Sequence, residues 1–343
     1  MLYSNLIRPL LFKLPAETAH DITIRQLELL QNSYLGRGLI KLLSGHVESN
    51  PVQVMGLNFR HPVGLAAGLD KDAKVIRGLF QMGFSHIEVG TLTPKSQPGN
   101  DKPRLFRLKE DHALINRMGF NNEGSIAASR RLKKRDPNWG VVGGNVGRNK
   151  ITNNENAIDD YIASMSHLRD YVDYFTVNIS SPNTPGLREL QQEEVLKNLL
   201  TKISDDNSKS LKPRPLAVKI SPDLSKQEVQ SISRLAVTCG FNGIIGTNTT
   251  VNRIGLKTKA NRIKDVGSGG LSGRPLTRHS TDVVAWIKEA VGDSAAVIGV
   301  GGIFNAQDVI DKRNAGADLV QIYTGFVYNG PSMINNIQKA WIK

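Results

Sequence analysis

Short apolar runs rich in β-branched residues recur along the chain, separated by stretches with helical spacing. The runs are Val63–Ala67, Ile87–Val89, Val141–Val142, Phe175–Ile179, Leu216–Ile220, Gly243–Ile245, Ala296–Val300 and Leu319–Ile322. Helical patterns lie between them, for example Lys74–Met82, Glu155–Arg169, Lys226–Thr238, Thr281–Ala290 and Gln307–Asn314. Parallel strands buried on both faces read as continuous apolar runs, as these do. Eight alternations over roughly 280 residues predict an α/β fold, a (β/α)8 TIM barrel.

Three segments exceed a minimal barrel. Residues 1–45 precede it and divide the chain into an N-terminal helical appendage and a barrel domain at 46–343. Thr91–Asn121 is long, and Arg104–Leu108 and Ala113–Arg117 flank Lys109–His112 as a hairpin would. Asn248–Gly273 is rich in Gly, Lys and Asn and has little hydrophobic pattern. Long loops at the site end of a barrel usually act as lids or substrate walls.

The C-terminal strand ends carry the active site in such barrels. Here they read Gly68-Leu-Asp-Lys71, Gly90-Thr91, Gly144-Asn145, Asn178 to Asn183, Lys219, Thr247-Asn248-Thr249, Gly301-Gly302 and Tyr323-Thr324-Gly325. A barrel serving only as scaffold has no reason to end nearly every strand in Lys, Asn, Thr or Gly. The segment Asn178-Ile-Ser-Ser-Pro-Asn-Thr-Pro-Gly-Leu-Arg188 is the densest of these. It sets a hydroxyl, Ser181, between two amides, Asn178 and Asn183, on a backbone stiffened by prolines. A self-satisfied turn explains the segment taken alone. Beside the other strand ends, it suits a site that holds a planar polar molecule while removing one proton. The glycine loops after the last two runs read singly as tight turns. Together they favour a phosphate on a substrate or a cofactor. Lys71 and Lys219 should point into the mouth, where buried ammoniums need an anionic partner. A Schiff-base lysine remains open. Two lysines among several amides better suit a flat anionic ring system such as flavin mononucleotide.

Composition changes this picture little. The ordinary globular balance, 39% hydrophobic and 22% charged, suits one large domain with an appendage. The lone cysteine, Cys239, excludes an internal disulfide and reads as a structural thiol at a helix end. Seven histidines without ligand spacing predict no metal site. The net charge of +13 points to nucleic acid, an anionic membrane surface or an anionic substrate. Its densest run, Arg130–Arg135, falls at the end of a helical pattern, where basic residues complement the helix dipole. The apolar N-terminus is broken by Arg8 and Lys13 and is too short to span a membrane. Leu6, Leu10 and Leu14 repeat at helical spacing, and Pro9 confines the first helix to starting near it.

Several ordered blocks resemble a known family. They are Gly64–Asp72, Asn100–Leu108, Leu114–Asn122, Asn178–Arg188, Thr247–Thr250, Gly269–Pro275 and Gly299–Gly302. The chain resembles the class 2, quinone-using, membrane-associated dihydroorotate dehydrogenases over essentially its whole length. The resemblance implies oxidation of dihydroorotate to orotate in pyrimidine synthesis, with FMN reduced and then reoxidised by a quinone. It implies that Ser181 is the base for the C5 proton while hydride leaves C6 for flavin N5. Thr184 and Phe120 would frame a water path from that serine. A cysteine base would mark the soluble class. The resemblance places Lys71, Asn116, Arg117, Met118, Gly119, Phe120, Asn178, Asn183, Asn248 and Thr249 around orotate. It places Ala67, Gly68, Lys71, Thr91, Asn145, Asn178, Lys219, Thr247, Gly273, Gly302, Tyr323 and Thr324 around the flavin.

The N-terminal hairpin would lie in the membrane interface and form a quinone tunnel with polar positions at His20, Arg107 and Tyr323. A hairpin merely packed on the barrel is the plainer alternative. Arg8, Lys13, Arg25, Arg37 and Lys41 would meet anionic headgroups at roughly 1 kcal/mol each. The resulting expectation is a monomer, peripheral on the cytoplasmic face of a bacterial inner membrane. Two rivals compete with it. A flavin barrel reducing RNA uridines would need a cysteine acid and an RNA-binding appendage, and Cys239 is misplaced for that role, so no nucleic-acid partner is expected. A non-enzymatic lipid-surface module would leave the strand-end amides without purpose.

Overall fold

The computed structural model describes residues 2–342. Strands β1 (Val52–Val54) and β2 (Leu57–Phe59) form an antiparallel hairpin. Its Val52, Val54, Met55, Leu57 and Phe59 pack against the barrel interior at Tyr174, Ala217, Ile245 and Ile298, which closes the bottom. Then follow β3 (Val63–Leu65) and β4 (His86–Leu92). An antiparallel pair, β5 (Leu105–Leu108) and β6 (Ala113–Asn116), comes next. The chain continues through β7 (Val141–Val146), β8 (Tyr174–Asn178), β9 (Leu216–Ile220), β10 (Gly243–Gly246), β11 (Gly270–Gly273), β12 (Ala296–Val300) and β13 (Leu319–Ile322).

Eight of these strands close into one parallel barrel in the order β10-β12-β13-β3-β4-β7-β8-β9. They are the eight apolar runs of the sequence, because each strand is covered by helices outside and by its neighbours inside. The intervening helices bury the apolar stripe that gave them away. Lys226–Thr238 places Val229, Ile232 and Ala236 on the barrel, and a reciprocal cap between Ser225 and Glu228 starts it. Ala306–Asn314 begins with the same kind of cap, Asn305 with Asp308.

The expected hairpin is present as β5 and β6. The segment expected to be a patternless loop, Asn248–Gly273, is more ordered than its sequence suggests. It holds a helix, Ala260–Val266, and β11, which extends the hairpin into a three-stranded sheet by pairing with β6. Gly270-Leu-Ser-Gly273 has no strand propensity of its own. Pairing with β6 and burial of Leu271 beside Ile115 and Val266 make it a strand.

The N-terminal helix does not begin at Pro9. A π-helical run, Tyr3–Ile7, leads directly into Arg8–Leu11. The wider turn lets the hydrogen-bond ladder step past the residue that has no N–H to donate. Helices Ala16–Gln31 and Tyr34–Ser44 complete the appendage. It is tied to the barrel by Glu17 on Arg104 and by Gln31, which donates to the Lys74 carbonyl and accepts from Gly78 N–H. Among the described residues, no helix is long and apolar enough to cross a membrane. The helix Ser125–Leu132 carries part of the basic run, where Arg131 pairs with Glu123 and Arg135 with Asp173. Cys239 is half-buried at the end of Lys226–Thr238, with its Sγ 3.5 Å from Thr201 Oγ1.

Candidate active site

The strand ends surround a cavity with about 1130 Å³ of unfilled space, part of it open to solvent. The β5–β6–β11 sheet, the flap, forms one wall through Leu105, Leu114, Asn116, Ser272 and Gly273. The floor and remaining walls come from the barrel loops. Of the residues proposed from sequence, Ala67, Gly68, Lys71, Thr91, Asn116, Met118, Gly119, Phe120, Asn178, Ser181, Asn183, Lys219, Thr247, Asn248, Thr249, Gly273, Gly302, Tyr323 and Thr324 all line it.

Hydrogen bonds hold the amides in place. Asn178 Nδ2 donates to Thr91 Oγ1 at 2.9 Å, and Thr91 Oγ1 donates to Asn145 Oδ1 at 2.6 Å. Asn248 Nδ2 donates to Asn178 Oδ1 at 3.2 Å and to Ser180 Oγ at 3.0 Å. Across the mouth, Asn183 Nδ2 donates to Asn116 Oδ1 at 3.1 Å, which links the Ser181 loop to the flap. Asn100 Nδ2 donates to the carbonyls of Asn183 and Arg117 and so ties both sides together. Ser181 is buried, and its Oγ accepts from the Asn183 N–H at 3.3 Å. Phe120 sits at φ 53°, a left-handed conformation that costs a non-glycine residue on the order of 1 kcal/mol or more.

Two cations face this polar ring. Lys219 is 6% exposed, and among the described residues neither it nor Lys71 forms an ion pair. Burial lowers the Lys71 pKa to about 8, with the Arg104 charge adding to the effect and Asp72 opposing it. Burial also lowers that of Lys219, and Glu88 opposes the shift. Such a pair calls for an anionic ligand. The glycine loops opposite are packed tightly against neighbouring backbone. A Cβ on Gly302 would lie 2.3 Å from Thr277 Cα, and one on Gly325 would lie 2.0 Å from the Ile303 carbonyl oxygen. Backbone therefore occupies the space that any side chain would need. Tyr323, with its pKa pushed up to about 12 by burial, reaches over the Gly68 carbonyl at 3.4 Å.

Five proposed residues stand outside the lining. Asn145 is fully buried beneath it, bonded to Thr91 and Glu88. Thr184 is buried, and among the described residues its hydroxyl has no partner. Arg117 turns its guanidinium away, onto the Val266 and Ser268 carbonyls, with the Phe106 ring 4.6 Å from it. Its side chain braces the flap and does not reach the cavity. Arg107 donates to the Leu14 and Leu11 carbonyls and lies 4.6 Å from the Phe12 ring. His20 Nε2 donates to the Leu69 carbonyl at 2.9 Å, one residue beyond the cavity wall at Gly68. Sequence reading missed Glu88 and Gln321. Both are polar residues set inside apolar strands, and their side chains point into the barrel. A charge interrupting Ile87–Val89 was the available signal.

The fold and site define a (β/α)8-barrel enzyme whose mouth is arranged for a flat polar ring and an anionic group. A family model described as dihydroorotate dehydrogenase matches residues 50–343. The protein named dihydroorotate dehydrogenase (quinone) from Christiangramia forsetii is 48% identical over 344 residues, covering 98% of each chain. One with the same name from Myxococcus xanthus is 47% identical over 342 residues, 97% of this chain and 91% of that one. A crystal structure of ligand-free type DHODH from Eimeria tenella superposes with a TM-score of 0.81 at 36% identity, covering 90% of this chain and 93% of that chain. The chain belongs to the dihydroorotate dehydrogenase family, in its quinone-dependent class.

Proposed function

We propose that this chain oxidises (S)-dihydroorotate to orotate in pyrimidine biosynthesis, with FMN as its resident cofactor and a membrane quinone as the electron acceptor. The observation that carries this reading is the single cavity that gathers the Ser181 hydroxyl, four asparagine amides and two unpaired ammoniums. The residues fit a flavin. Lys219 offers a buried charge without an ion-pair partner among the described residues, and Gly302, Thr324 and Gly325 line the same cavity at the ends of β12 and β13, where a phosphate would sit. When bound, the flavin supplies two-electron acceptance and redelivery, which no side chain offers.

The side chains perform the rest. Asn116, Asn178, Asn183 and Asn248 orient the planar pyrimidine through amide donors and acceptors, with Thr249 beside them. Lys71 meets the substrate carboxylate. Ser181 takes the proton from C5. A serine hydroxyl is a weak base and needs an outlet for that proton. The unpartnered Thr184 hydroxyl marks a place for a bridging water beside Ser181, with Phe120 as the apolar wall. His20 on the appendage bonds the Leu69 carbonyl, Tyr323 reaches the Gly68 carbonyl and Arg107 bonds the Leu11 and Leu14 carbonyls, contacts that suit a route for an apolar quinone between appendage and barrel.

The appendage supports a lipid-side approach. Leu6, Leu10, Leu35 and Leu42 expose 59%, 64%, 80% and 74% of their surface. Exposed leucines on both helices suit a lipid-docking surface, and Arg8, Lys13, Arg37 and Lys41 lie on the same segments. We place the protein as a monomer on the cytoplasmic face of a bacterial inner membrane. Co-sedimentation with anionic vesicles tests the placement, and anaerobic reduction by dihydroorotate tests the reaction.

A further inference from the structure

Glu88 lies in the centre of the barrel, on β4, with no exposed surface. Its carboxylate accepts from four donors. Tyr174 Oη, Thr176 Oγ1 and Gln321 Nε2 approach Oε1 at 3.1, 2.9 and 2.9 Å. Asn145 Nδ2 approaches Oε2 at 3.1 Å. A carboxylate at this depth is costly compared with a leucine of similar size, unless its charge is used. Two uses are visible. A carboxylate only accepts, so Asn145 must turn its NH2 toward it and its carbonyl toward Thr91. Thr91 then gives its only proton to Asn145 and must accept from Asn178, whose carbonyl accepts from Asn248. Every link of this chain points its donors toward Glu88. The second use is electrostatic, since Glu88 is the charge that opposes the burial effect on Lys219.

We infer that Glu88 is a positioning residue of the active site: it fixes the donor–acceptor sense of the Asn145–Thr91–Asn178–Asn248 chain and buries a negative charge beneath the mouth. Asn178 and Asn248 therefore present fixed faces to the ring they bind, and the flavin feels a lysine partly compensated from below. This inference rests on the proposed flavin and dihydroorotate site.

Glu88→Gln keeps the shape and reverses the logic. Its amide carbonyl stays with the three donors on one side, so its NH2 faces Asn145 and turns that side chain around. Orotate should bind about tenfold or more weakly, the scale of one misdirected charge-assisted bond. Loss of the negative charge should shift the bound flavin's midpoint potential upward by about 30 mV, a tenfold change for a two-electron couple. The double variant Glu88→Gln/Asn145→Asp moves the carboxylate one link along the chain. The introduced glutamine amide then donates to the introduced aspartate, which accepts from Thr91, so both the charge and the chain direction return.

The experiment measures the orotate Kd and the flavin midpoint potential of the holoenzyme for wild type, single and double variants. Loss in the single variant and recovery in the double supports the inference. Wild-type values in Glu88→Gln overturn it, and so does a folded double variant that behaves like the single. If Glu88→Gln alone does not fold, the double variant decides. A folded, yellow double variant with wild-type values supports the role, and one that fails to fold overturns it. A wild-type protein without flavin overturns the proposed function as well, whereas a yellow wild type with an indifferent Glu88→Gln overturns this inference alone.

Discussion

At the scale of single residues, the proposed proton chemistry rests on Ser181 and the charge on two lysines. Ser181→Ala should retain flavin and bind orotate but lose flavin reduction by dihydroorotate at least ~10²-fold, a common loss for a general base. Single-turnover stopped flow reads this directly, and near-normal reduction would sink the assignment. Lys71 gives a pH dependence with a definite sign. Its pKa lies below the ordinary lysine value, at about 8, so the ammonium is present below that pH and lost above it. Orotate affinity should be flat below about pH 8 and fall up to tenfold per unit above it, and Lys71→Met should abolish that slope. A slope that survives in Lys71→Met would assign the titration elsewhere. Most site residues were legible because strand ends can be read from apolar runs, and the polar residue that follows each run must face the mouth. Arg117 and Thr184 were less legible. Side-chain direction at a loop is set by neighbours such as the Val266 carbonyl, which lies far away in sequence. Glu88 was missed because one charge within a three-residue apolar run looks like a solvent face until the barrel closes around it.

At the scale of elements, the barrel strands and their capped helices follow from local pattern, whereas the flap does not. Strand β11 exists through pairing with β6, and no periodicity within Gly270–Gly273 announces it. The flap is anchored by Asp111, whose carboxylate accepts from the Lys257 and Thr258 backbones and from the Thr258 hydroxyl. The glycine loop after β12 gives an element-level test. Gly302→Ala would force its methyl onto Thr277 backbone at a φ of 69°. The variant should lose bound flavin and about 1–3 kcal/mol of stability, the range for strained backbone substitutions. Flavin content per polypeptide and the thermal midpoint check this, and full occupancy with an unchanged midpoint would contradict the assigned phosphate loop.

At the scale of the whole molecule, the proposed function divides the labour, with the first half-reaction in the barrel and the second at the appendage. Simple truncation would confuse the two roles, because Glu17, Leu27 and Gln31 are bonded to or packed on barrel residues. The exposed leucines separate them. Leu6→Ser/Leu10→Ser/Leu35→Ser removes apolar surface that contributes little to folding. The triple variant should keep dihydroorotate-driven reduction, lose binding to anionic vesicles and be reoxidised poorly by a long-tailed quinone. Unchanged turnover with that quinone would place its entry elsewhere. The central claim, that one cavity couples dihydroorotate oxidation to a quinone through a bound flavin, is tested by one anaerobic absorbance experiment on the purified full chain. The protein should be yellow as isolated, bleach on addition of dihydroorotate and recover its colour on addition of quinone. A colourless protein, or a yellow one that dihydroorotate leaves oxidised, would contradict the account.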